Sequence, residues 1–148
     1  MSATISTEPT WSVARRLLDL LAAGQIDAVG ELYAPDALVD ANVPYWRFQL
    51  QGPEAIKEVL HEGYGMPLRV ASSCVIDRGE WQIAEWEVHF EAHGEERLFR
   101  EIHLLRLEGG RIAEQVVYCT GHWDAEIIRR QAAEAPMVRR SGHDAATG

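Results

Sequence analysis

Basic residues are scarce in this chain. Its 14 lysines and arginines are outnumbered by 23 aspartates and glutamates, a net charge of −9. The few basic pairs, Arg15-Arg16, Arg129-Arg130 and Arg139-Arg140, are scattered. Such a balance makes nucleic acid and anionic membranes poor partners. Cysteine is scarce too. Cys74 and Cys119 sit in separate apolar runs, without metal-site spacing, and fit two buried thiols in a reducing compartment. No apolar run reaches the roughly 18 residues of a membrane span. The N-terminus lacks an apolar core behind basic residues, so no signal peptide is read and a cytoplasmic location is expected. There is no metal-ligand spacing, glycine-rich phosphate loop, nucleophile elbow or dinucleotide fingerprint. Cofactor-free chemistry or plain binding remains, with no metal and no cofactor expected.

What the chain has is an ordinary globular composition, 47% hydrophobic and 25% charged. Its 148 residues suggest one domain, long enough to bury a core without staples. The core is expected over about 9–123, a last helix over 124–135, and a loose end over 136–148. The most informative stretch is Arg97 to Trp123. Period-two alternation puts Phe99, Glu101, His103, Leu105 and Leu107 on one face, and Leu98, Arg100, Ile102, Leu104 and Arg106 on the other. Glu108-Gly109-Gly110-Arg111 is a hairpin turn. The return strand, Ile112 to Trp123, sets Gln115, Val117 and Cys119 on one face and Val116, Tyr118 and Thr120 on the other.

Before this ribbon, helical spacing predicts a helix from about Pro9 to Ala23, capped by Thr10 or Ser12, with Val13, Leu17, Leu20 and Leu21 as its stripe. A short helix, Ile26 to Tyr33, stops at Ala34-Pro35-Asp36. Ala37 to Val43 reads as a strand and Pro44 to Phe48 as an aromatic loop. A third helix spans Glu54 to His61. Strands follow at Leu68–Ile76 and Trp81–Ala92, the latter with Trp86, Val88, Phe90 and Ala92 on one face. Asp124 caps a final helix through about Glu134. Helix, helix, strand, helix and four meandering antiparallel strands make an α+β domain with helices on one face of a curved sheet. Such a cone encloses a blind apolar pocket.

The candidate residues follow from the faces. Glu101 and His103 lie on the inner face, emerging about 7 Å apart along one strand. Both can reach one substrate or one water, His103 as proton donor or base and Glu101 orienting it or acting as base. Burial would push the Glu101 pKa up while attraction to His103 opposes the rise. Asp40 and Asn42 share a face that plain alternation turns outward; a local twist would bring one of them in as a third catalytic or binding group. Tyr45 and Trp46 are candidates for a lid, and Arg47 for meeting an anionic substrate group or an acidic neighbour. Trp86, Val88, Phe90, Leu105 and Val117 form pocket wall or core. Gln115 and Cys119 can line the pocket. His122 ends the last strand, and His61, His89 and His93 read as surface.

Three strings, LLAAGQIDAVGELYAPDA (Leu20–Ala37), QGPEAI (Gln51–Ile56) and HLLRLEGGRIAEQ (His103–Gln115), occur in the order found in the nuclear-transport-factor-2-like superfamily. The chain resembles that group, which includes ketosteroid isomerase, limonene epoxide hydrolase and the SnoaL-like polyketide cyclases, over about Trp11 to Trp123. The resemblance implies a cone-shaped fold with a deep pocket and a homodimer through the outer sheet face, where Ile102, Leu104, Val116 and Tyr118 would otherwise be exposed. It does not imply one reaction. The ketosteroid isomerase base falls on Ala41, beside Asp40; its helix tyrosine falls on Leu17; its protonated aspartate falls on His103. Asn42-Val43-Pro44 resembles the Asn-x-Pro of limonene epoxide hydrolases, whose last-strand aspartate falls on Val117. The expected function is cofactor-independent isomerisation, cyclisation or epoxide opening on a small apolar molecule. The alternative is a non-catalytic binding or carrier protein, and a third reading is an interaction subunit with a vestigial pocket.

Overall fold

The computed structural model describes residues 12–139. The expected loose N-terminus, the helix start at Pro9 or Thr10 and the end of the loose tail, 140–148, lie outside the described residues.

Helix α1 (Val13–Ala22) buries Ala14, Leu17, Leu18, Leu20 and Leu21. Its first turn is tied down twice. Ser12 Oγ accepts from Arg15 N at 3.2 Å, and the buried Gln82 Oε1 accepts from Ala14 N at 2.8 Å. Helix α2 (Ile26–Gly30) is shorter than expected, because Tyr33 already belongs to strand β1 (Tyr33–Val43). Pro35 is tolerated in that strand because the pairing with the last strand, Arg111–Cys119, shifts register between Tyr33 and Leu38, where its missing N–H leaves no gap in the ladder.

The expected aromatic loop is instead a tight hairpin. Val43 pairs with Trp46, and Trp46–Gln51 forms strand β2. The turn holds Tyr45 at φ 63, a left-handed conformation uncommon for an aromatic residue. Helix α3 (Pro53–Gly63) starts with proline in its first turn and hands over to Tyr64. Strands β3 (Arg69–Arg78), β4 (Trp81–Ala92), β5 (Glu95–Glu108) and β6 (Arg111–Cys119) meander antiparallel, and helix α4 (Ala125–Glu134) follows. Asp124 caps it as expected, accepting from Ile127 N at 2.9 Å.

The six strands are ordered β2-β1-β6-β5-β4-β3. All neighbours are antiparallel except β1 and β6, which run parallel. The result is an α+β cone: a curved, unclosed sheet with α1 packed on β3 and β4, and α3 on β1 and β2. Between helices and sheet lies one apolar core, with Leu17, Leu21, Val29, Ile56, Trp86, Val88, Phe99 and Leu105 fully buried. Among the described residues no helix is long and apolar enough to cross a membrane.

Candidate functional site

Between the helices and the sheet lies a cavity of about 190 Å³. Helices α1 and α3 supply Leu17, Leu21, Ile56 and Leu60; β1 and β2 supply Val39, Ala41, Phe48 and Leu50. Its polar side belongs to β5 and β6, through Glu101, His103, Gln115 and Cys119, joined by Tyr33, Tyr64 and His122.

Tyr33, Gln115, His103, Glu101 and Tyr64 form one hydrogen-bonded chain. Tyr33 donates its hydroxyl proton to Gln115 Oε1. That fixes the amide, so Gln115 Nε2 donates to His103 Nδ1 at 2.8 Å. An imidazole nitrogen that accepts carries no proton, which leaves the His103 proton on Nε2. Nε2 in turn donates to Glu101 Oε1 at 3.2 Å. The same oxygen accepts from Tyr64 Oη at 2.5 Å and from Trp86 Nε1 at 3.1 Å. The two groups read from the strand as 7 Å apart thus touch, because His103 bends along the strand toward its neighbour.

Burial alone would raise the Glu101 pKa, but the hydrogen bonds from His103, Tyr64 and Trp86 oppose it, and the carboxyl lies below its ordinary value. Burial and the neighbouring Glu101 carboxylate push the Cys119 thiol up to about 12, so it is no ready nucleophile. Burial raises Tyr64 well above its usual value, and Glu101 adds to the rise. Burial also lowers His122, opposed by Glu101 and assisted by Arg97.

Not every predicted residue reaches this cavity. Glu101, His103, Gln115, Val117 and Cys119 line it. Trp86, Val88, Phe90 and Leu105 do not; they are core behind the wall, where Trp86 braces Glu101. Asp40 and Asn42 point away from it, since Val39 and Ala41 take the inner face and the strand does not twist enough to exchange them. Asp40 forms a two-pronged pair with Arg47, at 2.8 and 2.6 Å, which lowers its pKa. Asn42 Nδ2 donates to Val117 O at 3.2 Å. Tyr45 and Trp46 stand in solvent at the hairpin tip, 104% and 70% exposed, and do not line the cavity. Phe48 is the aromatic of that hairpin that lines the cavity. The sequence reading missed Tyr33 and Tyr64 as site residues. A tyrosine closing a short amphipathic helix was the one signal available for Tyr64.

Comparison with known proteins places this geometry in a family. The model of the SnoaL-like domain matches residues 14–115, well over half the chain. The chain belongs to the SnoaL-like domain family. Two solved structures share its fold. One is a proposed polyketide cyclase from Xanthomonas campestris pv. campestris, 20% identical, with a TM-score of 0.59 over 72% of this chain and 89% of that one. The other is a proposed polyketide cyclase from Pseudomonas putida KT2440, 19% identical, with a TM-score of 0.58 over 72% of this chain and 90% of that one. No curated protein sequence gives a significant match. At these identities the likeness shows the fold, and the chemistry has to be argued from the cavity.

Among the described residues that line this SnoaL-like cavity, Glu101 is the one carboxylate, set on the polar side of a largely apolar wall. Ala41, where the resemblance sets the ketosteroid isomerase base, is part of the lining.

Proposed function

We propose that this chain works as one SnoaL-like domain that binds a small, mostly apolar molecule and moves a proton on it without a cofactor, with Glu101 as the base. The observation that carries the reading is the loading of Glu101 Oε1 with three donors. They hold an ionised carboxylate in an apolar wall and orient it. All three reach Oε1; Cys119 also hydrogen-bonds the carboxylate, and on this proposal the second oxygen meets the ligand. Both ring nitrogens of His103 are engaged, so His103 positions the carboxylate rather than meeting substrate.

A single carboxylate that takes and returns a proton suits isomerisation or cyclisation through a carbon acid next to a carbonyl. Epoxide opening fits less well, since among the described residues the lining includes no lysine or arginine to assist the departing oxygen. The size supports a small substrate: a cavity of about 150 Å³ holds benzene, and this one is about 190 Å³. A ring with short substituents fits; a fused four-ring body needs the mouth to open. We place the working form in the cytoplasm as a homodimer.

The carrier reading has its own support, because most polar groups of the cavity are already satisfied by one another. Proton exchange separates the two. Small aryl ketones incubated in D2O with the full chain and followed by proton NMR should lose their α-protons faster than in buffer. Saturable binding with exchange no faster than buffer would assign the chain as a carrier.

A further inference from the structure

His122 lies outside the hydrogen-bonded chain, yet the fold holds it firmly at the cavity's mouth. Its ring stacks on Phe99, with centroids 5.1 Å apart and planes at 29°, and meets Phe90 edge-on at 5.0 Å. The backbone is fixed on both sides. Gly121 sits at φ 81, and a Cβ there would lie 2.6 Å from Pro44 Cγ, so glycine is required and the β1–β2 turn sets the path. Gly121 N also donates to Cys119 Sγ at 3.3 Å. On the other side Trp123 pairs with Leu98, N to O at 2.7 Å and O to N at 3.2 Å. His122 is exposed to solvent and also lines the cavity, and neither of its ring nitrogens has a hydrogen-bond partner among the described residues.

Packed against two phenylalanines, with its polar edge open to solvent and cavity, the ring is placed to meet a ligand atom. We infer that His122 is the ligand's polar anchor: its imidazole hydrogen-bonds a carbonyl or hydroxyl oxygen at one end of an uncharged ligand whose apolar body fills the cone. The inference deepens the proposed function and rests on its small-ligand reading of the cavity. An uncharged end is favoured over a carboxylate because Glu101 shares the cavity and repels anions. The imidazole is largely neutral at neutral pH, its proton affinity lowered mainly by burial, so it offers one donor and one acceptor. With Glu101 deeper in the cavity, an oxygen held at His122 fixes which carbon of the ligand faces the carboxylate.

The test uses the full chain and three probes of one size, ethylbenzene, acetophenone and benzoate, titrated by NMR into wild type, His122→Phe and His122→Gln. Phenylalanine keeps the stacking and removes the nitrogens; glutamine keeps a donor and an acceptor. Acetophenone should bind about twofold to tenfold more weakly to His122→Phe than to wild type. His122→Gln should recover part of that loss, and ethylbenzene should bind all three proteins alike. Equal acetophenone affinity for wild type and His122→Phe overturns the anchor, as does benzoate binding wild type more tightly than acetophenone. Ethylbenzene binding in that case leaves the cavity's ligand role standing. If none of the probes binds wild type, the small-ligand reading falls and takes the anchor with it.

Discussion

The hydroxyl of Tyr64, the residue that closes α3, donates to Glu101 Oε1 on β5 at 2.5 Å. This contact joins the helix layer to the sheet at the cavity's one carboxylate. Both partners are buried, at 8% and 9% exposure, so water is a poor replacement. Tyr64→Phe should cost about 1.5–3 kcal/mol, as for a hydrogen bond to a charged group, read by urea denaturation, and should raise the Glu101 pKa. A loss below about 0.5 kcal/mol would mean that the bond is replaced or weak.

The donor order from Tyr33 to Glu101 requires His103 to carry its proton on Nε2. Nitrogen-15 NMR of the imidazole should show that tautomer in wild type. Tyr33→Phe frees Gln115 to turn its amide, and the spectrum should shift toward a mixture, with about 1 kcal/mol lost in stability. A wild-type spectrum showing the proton on Nδ1 would reverse the chain.

Glu101 titrates below its ordinary value of 4.5 in the folded protein. A depressed carboxyl stabilises the fold fully above the unfolded pKa and loses that contribution as pH falls through the folded one. The stability difference between wild type and Glu101→Gln should therefore be constant above about pH 5 and shrink below it. The same ionisation predicts proton-transfer rates that are flat above that pH on account of this group. A difference that instead grows on acidification would show a raised pKa.

Much of this architecture was legible. The period-two pattern of β4 and β5 gave both strands and placed Glu101 and His103 together on the inner face, and the Gly109-Gly110 turn marked the hairpin between β5 and β6. Strand β2 was not legible, because its turn places the positive φ on Tyr45, where a reader looks for glycine or asparagine, and because Trp46 and Arg47 are exposed on an edge strand. Pro35 hid the start of β1 for a similar reason, its cost being absorbed by a register shift that leaves no trace in the sequence. Tyr33 and Tyr64 lie 82 and 37 residues from the groups they bond, Gln115 and Glu101, a distance that local patterns do not span. The outward turn of Asp40 did follow from alternation alone.

The outer sheet face leaves Ile102, Leu104 and Tyr118 at 40%, 38% and 58% exposure. They neighbour one another across β5 and β6, where Ile102 pairs with Tyr118 and Leu104 with Val116. Covering such a patch with a second copy is the reason to expect a homodimer. Sedimentation at micromolar concentration should give twice the chain mass, and Ile102→Glu should yield monomers that keep the fold. Monomer mass for wild type would remove the dimer.

The central claim is that Glu101 is the group that takes the proton, and the most direct measurement is α-proton exchange of a bound aryl ketone in D2O with wild type and Glu101→Gln side by side. Glutamine keeps the size and can still accept from Tyr64 and Trp86, so ketone affinity should change little. Exchange should fall about 10²–10⁴-fold, the usual contribution of a positioned base. Exchange by Glu101→Gln at the wild-type rate, with ketone bound equally well, would contradict the account.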